Sequence, residues 1–253
     1  MIAEQFSLKG KTAIITGASK GIGKAIAQAF GQQGANLVIS SRNKESIDQL
    51  VSEFKKIGIS AEGTVAHMGN PDEIRNLVEF AINQFNRIDI VVNNAAINPV
   101  FGSILETSDE AFNKIIDVNV KGPLELSKLC YPYLEKTQGN IINLSSIEGI
   151  TPGYGLGLYS MSKAAIISLT KTTAKEWGRK KIRVNAICPG LIRTKFSEAL
   201  ISNEKILKFV LAKQALPDIA EPEDIAGLAL FLASDAGKFC TGGIYMADGG
   251  YTI

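Results

Sequence analysis

Tyr159 and Lys163 stand four residues apart, a spacing that puts both on one face of a helix and lets a phenol meet an ammonium. A phenol ordinarily titrates near pH ~10, so ionising it at pH 7 costs about 4 kcal/mol. A cation within hydrogen-bonding range shifts a pKa by on the order of 1–3 units, which would let Tyr159 act as an acid or base near neutral pH. By itself the pair also suits any solvated helix, and its company decides between the two. Near the other end of the chain, Thr12-Ala13-Ile14-Ile15-Thr16 reads as a strand that enters Gly17-Ala18-Ser19-Lys20-Gly21-Ile22-Gly23 and then an amphipathic stretch from Lys24 to Gln33. This strand, glycine turn and helix start form a G-x-x-x-G-x-G variant of the dinucleotide fingerprint. Its backbone N–H groups and the positive helix end would face a pyrophosphate.

The same turn matches the G-x-S-x-G nucleophile elbow of serine hydrolases, with Ser19 as nucleophile. Two features count against that reading. One strand precedes Ser19, so no earlier strand–helix loop can furnish the second oxyanion donor. His67, the only histidine, would have to be the base, although acids such as Asp48 lie between the two. His67 is expected at a strand end instead.

These residues need a scaffold, and the rest of the chain describes one. Strand-like runs at 12–16, 37–40, 63–67, 88–93, 141–145, 182–188 and 243–247 alternate with helical stretches near 44–56, 71–85, 108–135, 158–179 and 221–234. That alternation predicts an α/β fold with a seven-stranded parallel sheet and helices on both faces. Runs such as Ile88-Asp89-Ile90-Val91-Val92 are rich in β-branched residues, as a sheet covered on both sides requires. Ligands of such sheets bind beyond the carboxyl ends of the strands. Gly17 to Gly23, Asn93-Asn94, Ser145-Ser146 and Pro189-Gly190 all fall there.

The 253 residues contain no linker, charge block or internal repeat, so residues 1–253 are expected to form a single domain. A formal net charge of +2, spread along the chain, argues against nucleic acid as the main partner. No apolar run approaches the roughly 18 residues of a membrane span. The first residues, Met1-Ile2-Ala3-Glu4-Gln5, lack a signal-peptide core. Cys130, Cys188 and Cys240, odd in number and widely spaced, suit buried free thiols in a reducing compartment, and no metal cluster is visible.

Thr16-Gly17-x-x-x-Gly21-x-Gly23, Asn93-Asn94-Ala95, Asn119, Ser146, Tyr159-x-x-x-Lys163 and Pro189-Gly190 follow the order and spacing of the short-chain dehydrogenase/reductase family, which the chain resembles over nearly its whole length. The resemblance implies a single-domain, doubly wound Rossmann fold, a nicotinamide cofactor and reversible alcohol/carbonyl chemistry. Two departures stand out. Ala96 replaces the glycine that usually ends the Asn-Asn-Ala motif, and His67 replaces an aspartate that often contacts adenine, which puts the adenine-side contacts in question.

Carried over residue by residue, the resemblance makes Tyr159 the general acid in reduction and the base in oxidation. Lys163 depresses its pKa and grips the nicotinamide ribose, Ser146 hydrogen-bonds the developing alkoxide, and Asn119 completes a water relay to Lys163. Gly17, Ser19, Lys20, Gly21, Ile22, Gly23, Ser41, Arg42, His67, Met68, Asn93, Ala95, Pro189, Gly190, Ile192 and Thr194 are the further cofactor candidates. Phe101, Ile150, Tyr154, Leu156, Leu158 and Phe196 belong to segments that flank substrate in the family and imply an apolar pocket, though each could be ordinary core.

Cofactor choice rests on residue chemistry. An NAD enzyme places Asp or Glu at the end of the second strand, where this chain reads Ser40-Ser41-Arg42. Arg42 and Lys20 would favour the 2′-phosphate of NADP(H). The strings 63–69, 95–103 and 190–194 resemble the NADPH-dependent carbonyl and retinal reductase branch. A 3-oxoacyl-carrier-protein reductase, docking an acidic partner on Arg179-Lys180-Lys181, is the alternative, and a non-catalytic dinucleotide sensor is another. A homotetramer is expected from the family and from the apolar wrap of Ala164-Ala165-Ile166-Ile167 and Leu169. A cytoplasmic location is expected because Tyr251-Thr252-Ile253 is no peroxisomal signal.

Overall fold

The computed structural model describes residues 2–253. Seven strands, Thr12–Thr16 (β1), Asn36–Ser41 (β2), Ala61–Val65 (β3), Ile90–Asn93 (β4), Asn140–Leu144 (β5), Arg183–Pro189 (β6) and Ile244–Ala247 (β7), pair in parallel in the order β3-β2-β1-β4-β5-β6-β7. The helices are Gly21–Gln32 (α1), Lys44–Lys56 (α2), Pro71–Phe85 (α3), Asp109–Ile116 (α4), Gly122–Thr137 (α5), Gly157–Trp177 (α6), Glu198–Ile201 (α7), Glu204–Lys213 (α8) and Pro222–Ala233 (α9). Strand order reverses between β1 and β4, which opens a crevice at their carboxyl ends.

Both faces of the sheet are apolar because successive strand residues point to opposite sides. Ile15 is in register with Ile39 and Val92 and packs in a core with Phe30, Phe54 and Leu232; Ile14 is in register with Val38 and Val91 and packs in the other with Leu77, Leu126 and Leu134. The helices on each face start where short polar residues cap them. Asn43 accepts from Ser46 N ahead of α2, Asn70 accepts from Asp72 N ahead of Pro71 and α3, and Ser108 accepts from Ala111 N ahead of α4.

Three local differences from the sequence expectation bear on the site. The strand expected at 63–67 is Ala61–Val65, and His67 lies in the turn beyond it, where its backbone N donates to Glu73 Oε2 and its Nδ1 accepts from Gly69 N. The single helix expected at 108–135 is two helices joined by a π turn at Asp117–Lys121, closed by Gly122 N donating to Asp117 O. Asn119 sits in that turn. Helices α7 and α8, which were not among the expected helical stretches, fill the connection between β6 and α9; neither contains a fully buried residue, and the Ile206, Leu207, Val210 and Leu211 stripe of α8 is only half-buried. Cys130 and Cys188 are buried free thiols as expected, but Cys240 is partly exposed.

Candidate active site

A cleft of 670 Å³ runs across the carboxyl ends of the central strands. Its floor is made by hydrogen bonds between β1 and β4. The Thr16 hydroxyl donates to the Val92 carbonyl and accepts from Asn94 N and Ala95 N, each at 3.1–3.2 Å. The Asn94 amide donates to the Thr16 and Gly17 carbonyls at 2.8 and 3.2 Å. This clamp leaves no room for side chains on the glycine turn. A Cβ on Gly23 would lie 2.5 Å from Asn94 Nδ2, and Gly17 combines φ of +65° with a Cβ position 2.9 Å from Ala95 Cα. The turn is therefore a cradle of backbone at the start of α1, the geometry that accepts a pyrophosphate.

Most of the expected cofactor contacts line this one cleft: Gly17, Ser19, Lys20, Gly21, Ile22, Gly23, Ser41, Arg42, His67, Met68, Ala95, Tyr159, Lys163, Pro189 and Thr194. Three do not. The Asn93 side chain turns into the interior, where it donates to Asn143 Oδ1 at 2.8 Å and Ser127 Oγ at 3.3 Å; its neighbour Asn94 takes the cleft side. Gly190 packs against Asp248, and Ile192 is buried beside its bridge to Ala220. Asn94, Ala96, Ile97 and Lys195 line the cleft and were missed, as was Thr16 beneath it. The doubled Asn93-Asn94 after a strand was the readable signal.

Among the described residues, Lys20, Arg42, Lys163 and Lys195 bring positive charge to the cleft, and no carboxylate lines it. Lys20 and Arg42 are exposed, and neither forms a salt bridge among the described residues. A site of this charge and shape fits a dinucleotide carrying phosphates. It does not fit a hydrolase triad, since His67 Nδ1 is taken by Gly69 N and no acid faces the cleft.

At the far end of the cleft, β5 and α6 assemble the reactive groups. Ser146, just past β5, is buried, accepts from Glu148 N at 3.1 Å and lies beside the Tyr159 phenol. Ser145 instead donates to the Lys163 carbonyl at 2.8 Å and so fixes α6 against β5. Lys163 is buried, donates to the Leu144 carbonyl at 2.7 Å and holds its Nζ 5.5 Å from the Tyr159 ring centroid. Burial pushes its pKa down to about 8, and the nearby Cys188 thiol opposes that.

Tyr159 corrects the expectation drawn from spacing. Burial raises the phenol above its ordinary value; the Ser146 hydroxyl opposes this, while Glu148 and Cys188 add to it. Lys163 Nζ donates to a carbonyl and makes no hydrogen bond to the phenol, so the direct meeting that the spacing suggests is absent. Asn119, expected in a water relay to Lys163, makes direct bonds of its own. Its amide accepts from Ile97 N and donates to Ile97 O, both at 2.9 Å, and donates to Ser162 Oγ at 3.0 Å, with no bond to Lys163. It holds the loop after β4 against α6.

Of the six substrate-flanking residues, only Phe196 enters the cleft, with its ring 5.7 Å from that of Tyr159. Phe101, Ile150 and Tyr154 are exposed at 59%, 47% and 88%. Phe101 packs on Gly155 and Leu156 is partly buried in the same loop, while Leu158 is buried in α6.

A family model described as enoyl-(acyl carrier protein) reductase matches residues 17–252. The chain is 39% identical to dehydrogenase/reductase SDR family member 4 of Oryctolagus cuniculus over 244 residues, covering 96% of this chain and 94% of that protein. Among solved structures, a gluconate 5-dehydrogenase from Burkholderia cenocepacia in complex with NADP and tartrate superposes with a TM-score of 0.95 at 27% identity, covering 100% and 99% of the two chains. A 7α-hydroxysteroid dehydrogenase complexed with NADH and 7-oxo-glycochenodeoxycholic acid gives 0.94 at 33% identity, covering 98% and 96%.

Proposed function

The chain belongs to the short-chain dehydrogenase/reductase family of oxidoreductases, and from that premise we propose that it is an NADP(H)-dependent reductase of apolar ketones or aldehydes. The observation that carries this reading is the meeting of Ser146, Tyr159 and Lys163 at one end of a cleft whose other end holds the glycine cradle and the unpaired Lys20 and Arg42. Solved relatives include one with NADP and one with NADH, so the choice of cofactor is argued from this chain's own residues. No acid stands at the end of β2, and the Arg42 guanidinium offers a planar fork to a 2′-phosphate.

A bound nicotinamide supplies or accepts the hydride. Tyr159, held protonated, donates its hydroxyl proton to the carbonyl oxygen as that oxygen gains charge, and Ser146 donates a second hydrogen bond to the same oxygen. Lys163 keeps α6 in place through Leu144 and contributes positive charge beneath the phenol. In oxidation the proton moves in reverse. Phe196 beside Tyr159 favours an apolar substrate face.

An acyl-carrier-protein substrate is less well supported. Helix α6 starts at the cleft and its 21 residues carry the chain on the order of 30 Å before Arg179-Lys180-Lys181, and Lys180 is already paired with Glu135. A dinucleotide sensor would not require Ser146, Tyr159 and Lys163 to converge. A homotetramer is part of the proposal, supported by the exposed Met161, Ala164 and Ser168 on α6 and by the exposed Phe239 and Ile253. Free cysteines support a reducing, cytoplasmic setting; no helix among the described residues is long and apolar enough to cross a membrane. Calorimetric titration with NADPH and NADH, followed by cofactor-consumption assays on aliphatic, aromatic and thioester-linked carbonyls, tests the reading. Tighter NADPH binding and turnover of apolar carbonyls are expected; binding without turnover of any carbonyl would leave a sensor.

A further inference from the structure

Helix α6 carries both Tyr159 and Lys163, yet it starts with no side-chain cap on Leu156 and no acid in its first turn. Such a start leaves N–H groups and a positive helix end unmet. A carboxylate reaches this start from outside the helix through a side chain. Glu148, in the Ile147–Gly149 turn directly after Ser146, accepts through Oε2 from the Ser160 hydroxyl at 2.8 Å and from Gly153 N at 2.7 Å. The loop between them is moulded on the carboxylate, since a Cβ on Gly153 would lie 2.8 Å from Glu148 Oε1. The turn itself presses on α6, because a Cβ on Gly149 would lie 2.8 Å from the Lys163 carbonyl carbon. Ser146 caps this turn by accepting from Glu148 N. One carboxylate therefore ties together the segment that follows Ser146, the mouth loop and the residue next to Tyr159.

We propose that Glu148 is a positioning residue, whose carboxylate holds the start of the Tyr159 helix and sets a negative charge beside the residue that follows Tyr159. The inference rests on the reading of Tyr159 as proton donor. The groups facing the Tyr159 side chain are the Ser146 hydroxyl, the Lys163 ammonium 5.5 Å from the ring centroid, the Phe196 ring at 5.7 Å, the Cys188 thiol and the Glu148 carboxylate. Among them Glu148 is the nearby carboxylate, and it pushes the phenol in the same direction as burial does. It acts the same way on Tyr251 of the C-terminal tail, whose phenol is raised by burial first and Glu148 second. A carboxylate here favours an acid at Tyr159 over a base and so biases the site toward reduction.

Glu148→Gln separates position from charge, because the side-chain amide retains an oxygen for Ser160 and Gly153. Site-specific difluorotyrosine at position 159, with its intrinsically more acidic phenol, brings the titration into a range where the fold persists, and fluorine NMR reads it without any turnover. In the Glu148→Gln background this titration should move down by about half a pH unit. With unlabelled protein, the alkaline limb of kcat for NADPH-dependent carbonyl reduction should move down with it. Below that limb Glu148→Gln should stay within about two-fold of wild type while Glu148→Ala loses roughly ten-fold. Coincident fluorine titrations, or a Glu148→Gln variant as slow as Glu148→Ala below the limb, would overturn the proposal. If wild type reduces no carbonyl, the proposed function fails while the fluorine titration still decides the role of Glu148.

Discussion

The two halves of the cleft are built by different means. On the cofactor side, backbone and buried polar groups set the shape: Thr16 and Asn94 clamp β1 to β4, Ala18 N donates to the Ser40 carbonyl, and Asn119 grips both backbone groups of Ile97. On the substrate side, Phe101, Ile150 and Tyr154 project into solvent, and α7 and α8 fully bury no residue. Polar groups that lose water must be satisfied within the fold, so a site made from them is preformed. Exposed apolar side chains on weakly packed segments have no such constraint and are free to adjust to what they meet. The difference fits a common hydride chemistry joined to a substrate preference particular to this chain.

Tyr159 sits at the seam, and its removal should have the largest effect. Tyr159→Phe keeps the ring that faces Phe196 and Lys163 but deletes the transferable proton, so kcat should fall by about 10²–10⁴-fold. Calorimetric affinity for NADPH should stay close to wild type. A variant that reduces carbonyls at near wild-type rates would remove Tyr159 from the chemistry.

The contrast between the halves is sharpened by a matched pair. Gly23→Ala drives a methyl to 2.5 Å from Asn94 Nδ2 and 2.7 Å from the Gly17 carbonyl, and Asn94 cannot yield without breaking its own bonds to Thr16 and Gly17. NADPH affinity should drop by more than about 10-fold, with a lower melting temperature. Tyr154→Ala, at 88% exposure, should leave both affinity and melting temperature within about two-fold and one degree. Similar losses in the two variants would break the comparison.

The same asymmetry explains what could be read without coordinates. The strands were legible because a doubly covered sheet demands β-branched residues on both faces, and Ile14-Ile15, Val38-Ile39 and Val91-Val92 supply them. The meeting of Ser146 and Tyr159 was legible through the family resemblance, which gave both a role at the same reacting oxygen. The interior turn of Asn93 was not, because adjacent residues at a strand end face opposite ways and only the register settles which one meets the cleft. Nor could a four-residue spacing tell that Lys163 aims at the Leu144 carbonyl. The π turn at Asp117–Lys121 adds a residue to a helix without disturbing its apolar period enough to be seen.

Arg42 carries a smaller, selective prediction. A charge-assisted hydrogen bond contributes roughly 1.5–3 kcal/mol, about 10–100-fold in affinity. Arg42 is exposed, so screening trims that range toward its lower end. Arg42→Ala should lower kcat/KM with NADPH by about 10-fold and leave NADH little changed, and added salt should shrink the wild-type preference. An equal loss with both cofactors would mean that Arg42 shapes the cleft rather than reads the 2′-phosphate.

Lys163 gives the smallest effect and tests how deeply the seam is buried. Its pKa is about 8 in the folded protein against an ordinary 10.5, so between those values the unfolded chain holds a proton that the native state has lost. Stability from this group therefore rises with pH across that window, and below pH 8 the fold bears the full cost of an enclosed ammonium. Lys163→Met removes the titration and also the donor to the Leu144 carbonyl, a loss that does not change with pH. The melting temperature of the variant minus that of wild type should thus fall by a few degrees from pH 7 to pH 9.5. The raised Cys130 thiol titrates alike in both proteins and cancels in the difference, whereas Cys188, which the Lys163 charge lowers, is raised further in the variant and adds to the expected fall. A flat difference would place the Lys163 ammonium in contact with water, where it could be neither costly to the fold nor held for the site.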